Sequence, residues 1–384
     1  MSVSARIRLY FSIVILLLVT VLYPYLVYTP NAVIAYWREV YIETAMSTMT
    51  HQWLATCFFP QDMIDEIMAK RAQFEQEQKS LRSTWQLAKV EEPQQTTKDP
   101  VLAQFPQLDE TLWTDFLSRN PEIAAAGGAF DLCDQDGGSS LLTRAGDPVA
   151  AIDPDAGICI VDISGEVQGL DYHGRLAIVS DPARVHLAPC ANLFESGQRL
   201  YQIAEDQGAA LAVNASGFID PDGSGNGGTP YGLFKIDGEQ LNGRFGRNYK
   251  VVGFDAQHRL QIGEEELVPL LCDAVEFGPA LIVDGVSTLD EANTGFSLDP
   301  RTAIGQTADG TVLFLVIDGR SPQSIGANIY TCSEILERYG AVQASLLDGG
   351  SSSVMYFHGR EITHPSTSTN NPHGRALPNA WIIK

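Results

Sequence analysis

The feature that most constrains this chain is its N-terminal apolar run, because no residue from Leu9 to Tyr28 carries a charge. A transmembrane helix needs about 20 predominantly apolar residues, so this run predicts a membrane span. Pro24 is compatible with it, since membrane helices accept proline more readily than soluble helices. Arg6 and Arg8 precede the run and, by the positive-inside rule, predict a cytoplasmic N-terminus and an extracytoplasmic remainder at the cell surface.

The alternative to an anchor over residues 1–30 is a cleaved signal peptide. Two observations favour the anchor: the apolar run is longer than an ordinary signal-peptide core, and no clear small-x-small cleavage site follows it directly.

Net charge argues against nucleic acid as a partner, and the cysteine pattern argues against a zinc site. The 384 residues include 25 basic and 47 acidic side chains, a formal net charge of −22, which repels nucleic acid. The six cysteines are scattered without a CxxC motif or a Cys/His cluster, so a zinc site is not expected. Disulfide pairing and oligomeric state stay open.

The chain after the anchor divides into three further parts. Residues 31–100 have helical spacing of apolar side chains followed by a Gln/Glu/Lys/Thr-rich stretch, which predicts a helical stalk and linker. Residues 101–157 form a connecting region with no distinct role. From residue 158 to 384, short apolar runs separated by turn dipeptides predict an α+β domain, built on a mostly antiparallel sheet with a few packed helices.

The segment Leu347-Asp348-Gly349-Gly350-Ser351-Ser352 ends an apolar run on a single carboxylate and then turns through glycines and hydroxyls. Such a layout is typical of a site carried at a strand end, where glycine lets the backbone approach a ligand. A plain β-hairpin is the alternative, because Asp-Gly is also a common hairpin turn.

Other polar residues recur at predicted strand ends. An Asp309-Gly310 turn is expected to pair two strands and to bring Arg301, Asp318 and Arg320 to one edge of the sheet. Guanidinium groups there suit a phosphate, although a salt-bridge network is the alternative. Asn214, Arg375 and Asn379 also lie at element ends.

The loop from Asp220 to Gly228 places Asp220, Asp222 and Asn226 at alternating positions among glycines, which makes it a candidate calcium loop. The glutamate expected at the twelfth position is absent, since Tyr231 stands there, so a flexible lid is the alternative.

Five motifs together resemble the phosphodiester glycosidase family over residues 158–384. In chain order they are Asn214-Ala215-Ser216-Gly217-Phe218, Arg301-Thr302-Ala303-Ile304-Gly305, Asp318-Gly319-Arg320, Leu347-Asp348-Gly349-Gly350-Ser351-Ser352 and Arg375-Ala376-Leu377-Pro378-Asn379-Ala380. The anchor and the glycine-rich loop are similar to a membrane-anchored bacterial branch described as exopolysaccharide biosynthesis proteins. The resemblance implies hydrolysis of a sugar-1-phosphodiester at its glycosidic bond.

The residues and the resemblance lead to one hypothesis. Asp348 is the principal acid/base carboxylate and Asp318 the second, as glycosidic cleavage usually requires a carboxyl pair. Three further groups bind substrate: the arginines Arg301, Arg320 and Arg375 neutralise phosphate, the amides Asn214 and Asn379 hold sugar or phosphate oxygens, and the backbone of Gly349, Gly350, Ser351 and Ser352 forms an anion nest. The alternatives are a non-catalytic module that binds anionic polysaccharide or wall polymer, and a phosphodiesterase that cuts the P–O bond.

Overall fold

The computed structural model describes residues 3–47, 52–86, 99–135, 139–221, 225–244, 249–289, 297–366 and 372–384. The chain divides into two compact units. The first comprises Met1–Gln73 with Gly295–Ser297, and the second comprises Phe74–Thr294 with Leu298–Lys384. Part of the predicted linker, residues 87–98, and Asp222 of the glycine-rich loop lie outside the described residues.

The first unit is helical. Its apolar helix consists of α1 (Val3–Leu17), a π-helical turn (Leu18–Leu22) and α2 (Tyr23–Tyr28). Residues Tyr10–Tyr28 have a mean hydropathy of 2.3 and are long and apolar enough to cross a membrane, a property that signal sequences share. Three helices follow and enclose a small apolar cluster that includes Ile42, Ala55 and Ile64: α3 (Ala32–Ser47), α4 (Trp53–Thr56) and α5 (Gln61–Lys79), whose last turns belong to the second unit.

Short polar side chains cap the start of three helices in the second unit. The carboxylate of Asp99 accepts hydrogen bonds from the backbone amides that open α6, Asp109 does the same for α7, and the Asn328 side chain for α10, which satisfies donors that a helix start leaves unpaired. After α5, the helices described in the second unit are α6 (Pro100–Gln104), α7 (Glu110–Arg119), α8 (Pro121–Ala125), α9 (Leu200–Gln207) and α10 (Ile329–Arg338).

The strands of the second unit pair antiparallel, as the sequence predicts. They are β1 (Phe130–Asp131), β2 (Val149–Asp153), β3 (Ile158–Val167), β4 (Leu170–Val179), β5 (Val185–Pro189), β6 (Leu211–Asn214), β7 (Phe234–Ile236), β8 (Glu239–Asn242), β9 (Lys250–Asp255), β10 (Leu260–Gly263), β11 (Leu271–Phe277), β12 (Ala280–Val283), β13 (Val286–Ser287), β14 (Arg301–Thr307), β15 (Val312–Ile317), β16 (Ala341–Leu347), β17 (Met355–Phe357), β18 (Arg360–Glu361) and β19 (Asn379–Ile383).

Within the described ranges the strands form three sheets of nine, five and five strands. Sheet A has the order β1-β2-β3-β4-β15-β14-β16-β12-β13, sheet B the order β10-β9-β11-β7-β8, and sheet C the order β18-β17-β6-β19-β5. The region 101–157 therefore contributes the outer strands β1 and β2 to sheet A, together with helices α6, α7 and α8.

Sheet A separates two apolar layers. One face packs against α6, α7 and α10 through side chains such as Trp113 and Ile335. The other face closes a core with sheets B and C, where Phe314, Phe254 and Trp381 lie. Because β15 is buried on both faces, its sequence is a continuous apolar run instead of an alternating one. The mixed helix and antiparallel-sheet class predicted from the sequence is confirmed.

Three adjacent strands of sheet A have ends at one edge. The Asp309-Gly310 hairpin pairs β14 with β15 so that Arg301 lies opposite Ile317, and β14 pairs with β16 so that Thr302 lies opposite Leu347. Asp318 and Asp348 follow directly after β15 and β16. With β14 between them, their backbones are two strand spacings, or about 10 Å, apart.

Within the second unit, the last turn of α5 and the strap that follows it, residues 80–86, are hydrogen-bonded to strands of sheets A and B and to the loop after β12. The side chain of Gln78, 3% exposed, donates to the carbonyl of Ala280 (3.2 Å) and accepts from its amide (3.0 Å). The amide of Ser83 donates to the carbonyl of Ile262 at 2.8 Å, as a strand would. The carboxylate of Asp284 accepts hydrogen bonds from the backbone amides of Thr84 and Trp85.

Candidate active site

At the edge of sheet A where β15 and β16 end, Asp348 is the carboxyl whose pKa departs most from its ordinary value. Its amide donates to the carbonyl of Ala215 at 3.1 Å, which fixes the residue beside the end of β6. Burial raises the pKa of its carboxyl from the ordinary 3.8 to about 7, although hydrogen bonds from the Ser352 hydroxyl and the Gly349 amide lower it. A carboxyl with such a pKa can donate or accept a proton near neutral pH.

The turn after Asp348 is a single 3-10 turn over Gly350–Ser352. Gly350 has a φ of +63°, which glycine adopts without a Cβ clash, and its amide donates to the carbonyl of Pro300 at 2.9 Å. The amide of Ser352 donates to the carbonyl of Gly349 at 3.3 Å, and the amide of Gly349 to the Asp348 carboxylate. The backbone amides of Gly349, Gly350 and Ser352, predicted to form an anion nest, thus donate their hydrogen bonds to other groups of the protein.

Asn214 is fully buried at the end of β6, and the protein occupies both ends of its side-chain amide. The oxygen accepts from the Thr302 hydroxyl at 2.9 Å and from the Val354 amide at 3.1 Å. The nitrogen donates to the carbonyl of Asp348 at 2.6 Å. In this structure Asn214 therefore ties β6, β14 and the residues after β16 together and positions the Asp348 turn.

Asn379, the other amide predicted to hold substrate oxygens, is also fully buried. Its side-chain oxygen accepts from the amide (2.9 Å) and from the hydroxyl (3.0 Å) of Ser216. Among the described residues its side-chain nitrogen has no hydrogen-bond partner. Asn379 thus holds the chain between Asn214 and Gly217.

The two arginines of the edge converge on Asp299. The guanidinium of Arg320 donates to one carboxylate oxygen at 3.0 Å, and that of Arg301 lies 3.7 Å from the other. Arg301 also donates to the carbonyl of Ala327 at 3.0 Å and is largely buried, whereas half of the Arg320 side chain is exposed. Arg320 lies 3.5 Å from the Ser351 hydroxyl, so it is the exposed cation beside the Asp348 turn.

Asp318 has a partner of its own. Its carboxylate accepts from the amide of His364 at 2.8 Å and contacts the same residue's imidazole Nδ1 at 3.1 Å. This hydrogen bond raises the pKa of His364, because it stabilises the imidazolium. The structure therefore places the second predicted carboxylate in a pair with a histidine.

Arg375 and Asp220 form the ion pair whose charges act on Asp348. The guanidinium donates to the Asp220 carboxylate at 2.8 Å and to the carbonyl of Gly225 at 3.1 Å, and it lies over the ring of Phe218 at 4.7 Å. The Arg375 hydrogen bond lowers the pKa of Asp220. Arg375 lowers and Asp220 raises the pKa of Asp348, so the three groups share one electrostatic environment.

In the glycine-rich loop, the side-chain oxygen atoms of Asp220 and Asn226, predicted as calcium ligands, have hydrogen-bond or ion-pair partners within the protein. Asp220 pairs with Arg375, which already neutralises its charge. The Asn226 side chain bonds the carbonyl of Glu195 and the amide of Gly228. In the part of the chain that the structure describes, no three His, Cys, Asp or Glu residues are grouped as a metal site. Asp222 lies outside that part.

Sequence reasoning missed three aromatic residues beside Asp348. Tyr231 lies in a loop, Tyr249 directly precedes β9, and Phe277 ends β11; the Tyr249 ring contacts the other two rings. Gly217 lies between this group and Asp348. No periodicity links the three positions in the sequence, so the only available signal was the recurrence of aromatic residues next to strand ends.

Comparisons with known proteins agree with the sequence resemblance. The model of the phosphodiester glycosidase family matches residues 207–384. The SPbeta prophage-derived uncharacterized protein YomE of Bacillus subtilis is 37% identical over 93 residues, which are 23% of this chain and 14% of that protein. This chain thus spans only a small part of that relative's length.

Solved structures with a similar arrangement are more distant. The zebrafish N-acetylglucosamine-1-phosphodiester alpha-N-acetylglucosaminidase catalytic domain, auto-inhibited by its pro-peptide, is 18% identical with a TM-score of 0.48, over 58% of this chain and 81% of that one. A hypothetical protein from Synechocystis is 16% identical with a TM-score of 0.46, over 64% and 65% of the two chains. The C-terminal part of this chain, residues 207–384, is thus similar to the phosphodiester glycosidase family, whose model it matches.

Proposed function

We propose that this protein hydrolyses the glycosidic bond of a sugar-1-phosphodiester, with Asp348 as the acid that protonates the leaving phosphate oxygen. The family match supports the reaction class. The observation that carries the assignment is the position of Asp348 at a strand end, hydrogen-bonded by Ser352 and Gly349 and next to the Arg375–Asp220 pair. A carboxyl held half-protonated at neutral pH is what general acid catalysis requires.

In the proposed reaction the oxygen of water bonds to the anomeric carbon while the bond from that carbon to the phosphate oxygen breaks. Asp348 gives its proton to the departing oxygen, and a base takes a proton from the water. The products are the free sugar and a phosphomonoester. Arg320, the exposed cation at the turn, is placed to neutralise the phosphate, since a guanidinium binds phosphate oxygens in a planar, bidentate array.

Two carboxylates compete for the role of base. Asp318 lies two strands from Asp348, at a backbone separation of about 10 Å, compatible with the spacing of about 6.5–9.5 Å between carboxyl groups in inverting enzymes. Asp220 is held ionised by Arg375 and is close enough to raise the pKa of Asp348. Comparing Asp318→Asn with Asp220→Asn assigns the role, because only loss of the base abolishes turnover while the protein stays folded.

Product analysis tests the reaction. The full chain in detergent is incubated with an α-sugar-1-phosphodiester, and sugar and phosphate products are separated. Free sugar together with a phosphomonoester supports the proposal. Sugar-1-phosphate instead shows P–O cleavage by a phosphodiesterase, and the absence of any product favours a module that only binds anionic glycan. Asp348→Asn is the matched inactive variant.

For cellular location we propose a membrane-anchored enzyme. The apolar helix Tyr10–Tyr28 stays attached, its N-terminus is cytoplasmic, and the glycosidase domain acts outside the cytosol on exopolysaccharide or cell-wall polymer. Arg6 and Arg8 before the helix support this orientation. Protease protection in intact cells tests it: the domain should be digested from outside, and a cleaved, soluble product in the medium would instead identify a signal peptide.

A further inference from the structure

Three partly exposed aromatic side chains form a continuous cluster at the end of β11. The ring of Phe277 stacks on that of Tyr249, with centroids 5.1 Å apart and planes inclined by 10°. Tyr231 meets Tyr249 edge-on at 6.1 Å and 77°. We call Tyr231, Tyr249 and Phe277 the aromatic wall.

Gly217 shows how close the aromatic wall is to Asp348. A Cβ atom at this glycine would lie 3.4 Å from the Phe277 ring edge, 3.7 Å from an Asp348 carboxylate oxygen and 3.7 Å from Cβ of Tyr231. The catalytic carboxyl and the wall thus face each other across one methyl-sized position. A group bonded at Asp348 is therefore within contact distance of an aromatic ring.

A network of charged side chains is hydrogen-bonded to the backbone next to the aromatic wall. Arg244 donates to the carbonyl of Tyr249 at 2.9 Å and to the carboxylates of Glu276 (3.2 Å) and Glu264 (3.1 Å). Glu276 is fully buried, precedes Phe277 and accepts from the amide of Leu233 at 3.0 Å. Because charges this deep are costly to leave unpaired, the network fixes the backbone on which Tyr249 and Phe277 stand.

On the basis of the proposed function, we infer that the aromatic wall is the subsite for the sugar ring that is released, with the apolar C–H face of a pyranose against Phe277 and Tyr249. Ligand sites combine apolar and aromatic lining with a few convergent polar groups, and the wall beside Asp348 and Arg375 has this composition. With the sugar stacked in this way, its anomeric carbon lies next to the Asp348 carboxyl, and its phosphate lies on the side of the arginines. The wall accordingly selects for the sugar rather than for the aglycone.

The experiment compares Phe277→Ala with a matched control, Phe130→Ala. Phe130 is also a partly buried phenylalanine with a ring contact, to Phe116 at 5.1 Å, but it lies on β1, an edge strand of sheet A, whereas Phe277 ends β11 in sheet B. With the full chain in detergent and an α-N-acetylglucosaminyl phosphodiester, Phe277→Ala should raise KM about tenfold or more, as expected for losing one stacked aromatic contact. Phe130→Ala should leave KM unchanged.

Gly217→Ala gives a second variant that keeps the rings. The added methyl makes ordinary contacts of 3.4–3.7 Å, so the protein should fold, but it fills the position between Phe277 and Asp348. We expect KM to rise at least as much as in Phe277→Ala, with an unchanged melting temperature. Equal KM values in wild type, Phe277→Ala and Gly217→Ala would overturn the inference.

A binding measurement separates this inference from the proposed function. Saturation-transfer NMR with free N-acetylglucosamine and wild-type protein should label the protons of one ring face, and the signal should be lost in Phe277→Ala and kept in Phe130→Ala. If the wild type releases no phosphomonoester but shows this pattern, the proposed hydrolysis fails and the subsite stands. If hydrolysis occurs while both phenylalanine variants bind and turn over sugar alike, the subsite fails and hydrolysis stands.

Discussion

Replacing Asp348 by asparagine should stabilise the protein at alkaline pH while abolishing its activity. The folded structure raises the pKa of this carboxyl from 3.8 to about 7, chiefly through burial. Below about pH 4 the group is protonated in both folded and unfolded chains and costs nothing. Between about pH 4 and about pH 7 the unfolded chain ionises this carboxyl while the folded protein keeps it protonated, so stability is progressively lost over that range and the loss is complete above about pH 7.

The size of the effect follows from the pKa difference. A rise from 3.8 to about 7 is roughly three pKa units, and at about 1.4 kcal/mol each these amount to about 4 kcal/mol at pH 9. Asparagine keeps the shape and removes the charge. We therefore expect the melting temperature of Asp348→Asn to exceed that of the wild type by about 8–16 °C at pH 9 and to match it at pH 4, since about 1 kcal/mol moves a large domain by about 2–4 °C.

The assay is thermal unfolding of the full chain in detergent from pH 4 to pH 9, monitored by circular dichroism, alongside kcat/KM over the same range. If Asp348 is the general acid, kcat/KM falls above about pH 7, and the asparagine variant loses about 10²–10⁴-fold activity. Asp220→Asn is the control of opposite sign, because the Arg375 hydrogen bond lowers the pKa of Asp220 and ionisation stabilises the fold there. Equal melting temperatures of wild type and Asp348→Asn at pH 9 would refute the reasoning.

Three other predictions concern the surroundings of Asp348. Asn214→Ala should cost about 2–4 kcal/mol of unfolding free energy and lower kcat, because it removes three buried hydrogen bonds that set the Asp348 turn; urea unfolding measures it, and a wild-type midpoint would contradict it. Arg320→Ala should raise KM for a phosphodiester about tenfold or more while KM for an uncharged aryl glycoside stays constant; equal effects on both substrates would exclude phosphate binding. In the wild type the Asp318 hydrogen bond raises the pKa of His364, so the pair should stabilise the fold fully below pH 6.5 and lose this stabilisation as the pH rises through the raised folded pKa. His364→Ala should therefore lower the melting temperature at acidic pH and leave it unchanged at alkaline pH; a variant whose melting temperature depends on pH as that of the wild type does would show that the pair is not stabilising.

The sequence predicted the architecture well where hydrophobic pattern and turn chemistry act locally. The Asp309-Gly310 turn does join two antiparallel strands, and the domain expected from residue 158 contains packed helices, α9 (Leu200–Gln207) and α10 (Ile329–Arg338). The run from Val312 to Ile317 is buried on both faces, as a continuous apolar strand should be. These features depend on neighbours in sequence, which is why a single chain reveals them.

The site was less accessible because its hydrogen bonds join distant segments. Sequence patterns showed that Asn214 ends a strand, but not that both ends of its amide would be taken by Thr302, Val354 and Asp348. Asp220 looked like a cation ligand until Arg375, far along the chain, was seen to neutralise it. Partners of this kind are set by register and packing, which a local pattern does not encode.

The last turn of α5 and the strap after it bear on how far the chain can be shortened. A fragment that starts at residue 87 would keep the whole family-matched region, yet it would leave the amide and carbonyl of Ala280 without Gln78 and the carboxylate of Asp284 without the amides of residues 84 and 85. Ala280 opens the strand that pairs with β16, which leads to Asp348. We therefore expect a fragment that folds on its own to begin before Gln78, well ahead of residue 207, where the family match starts.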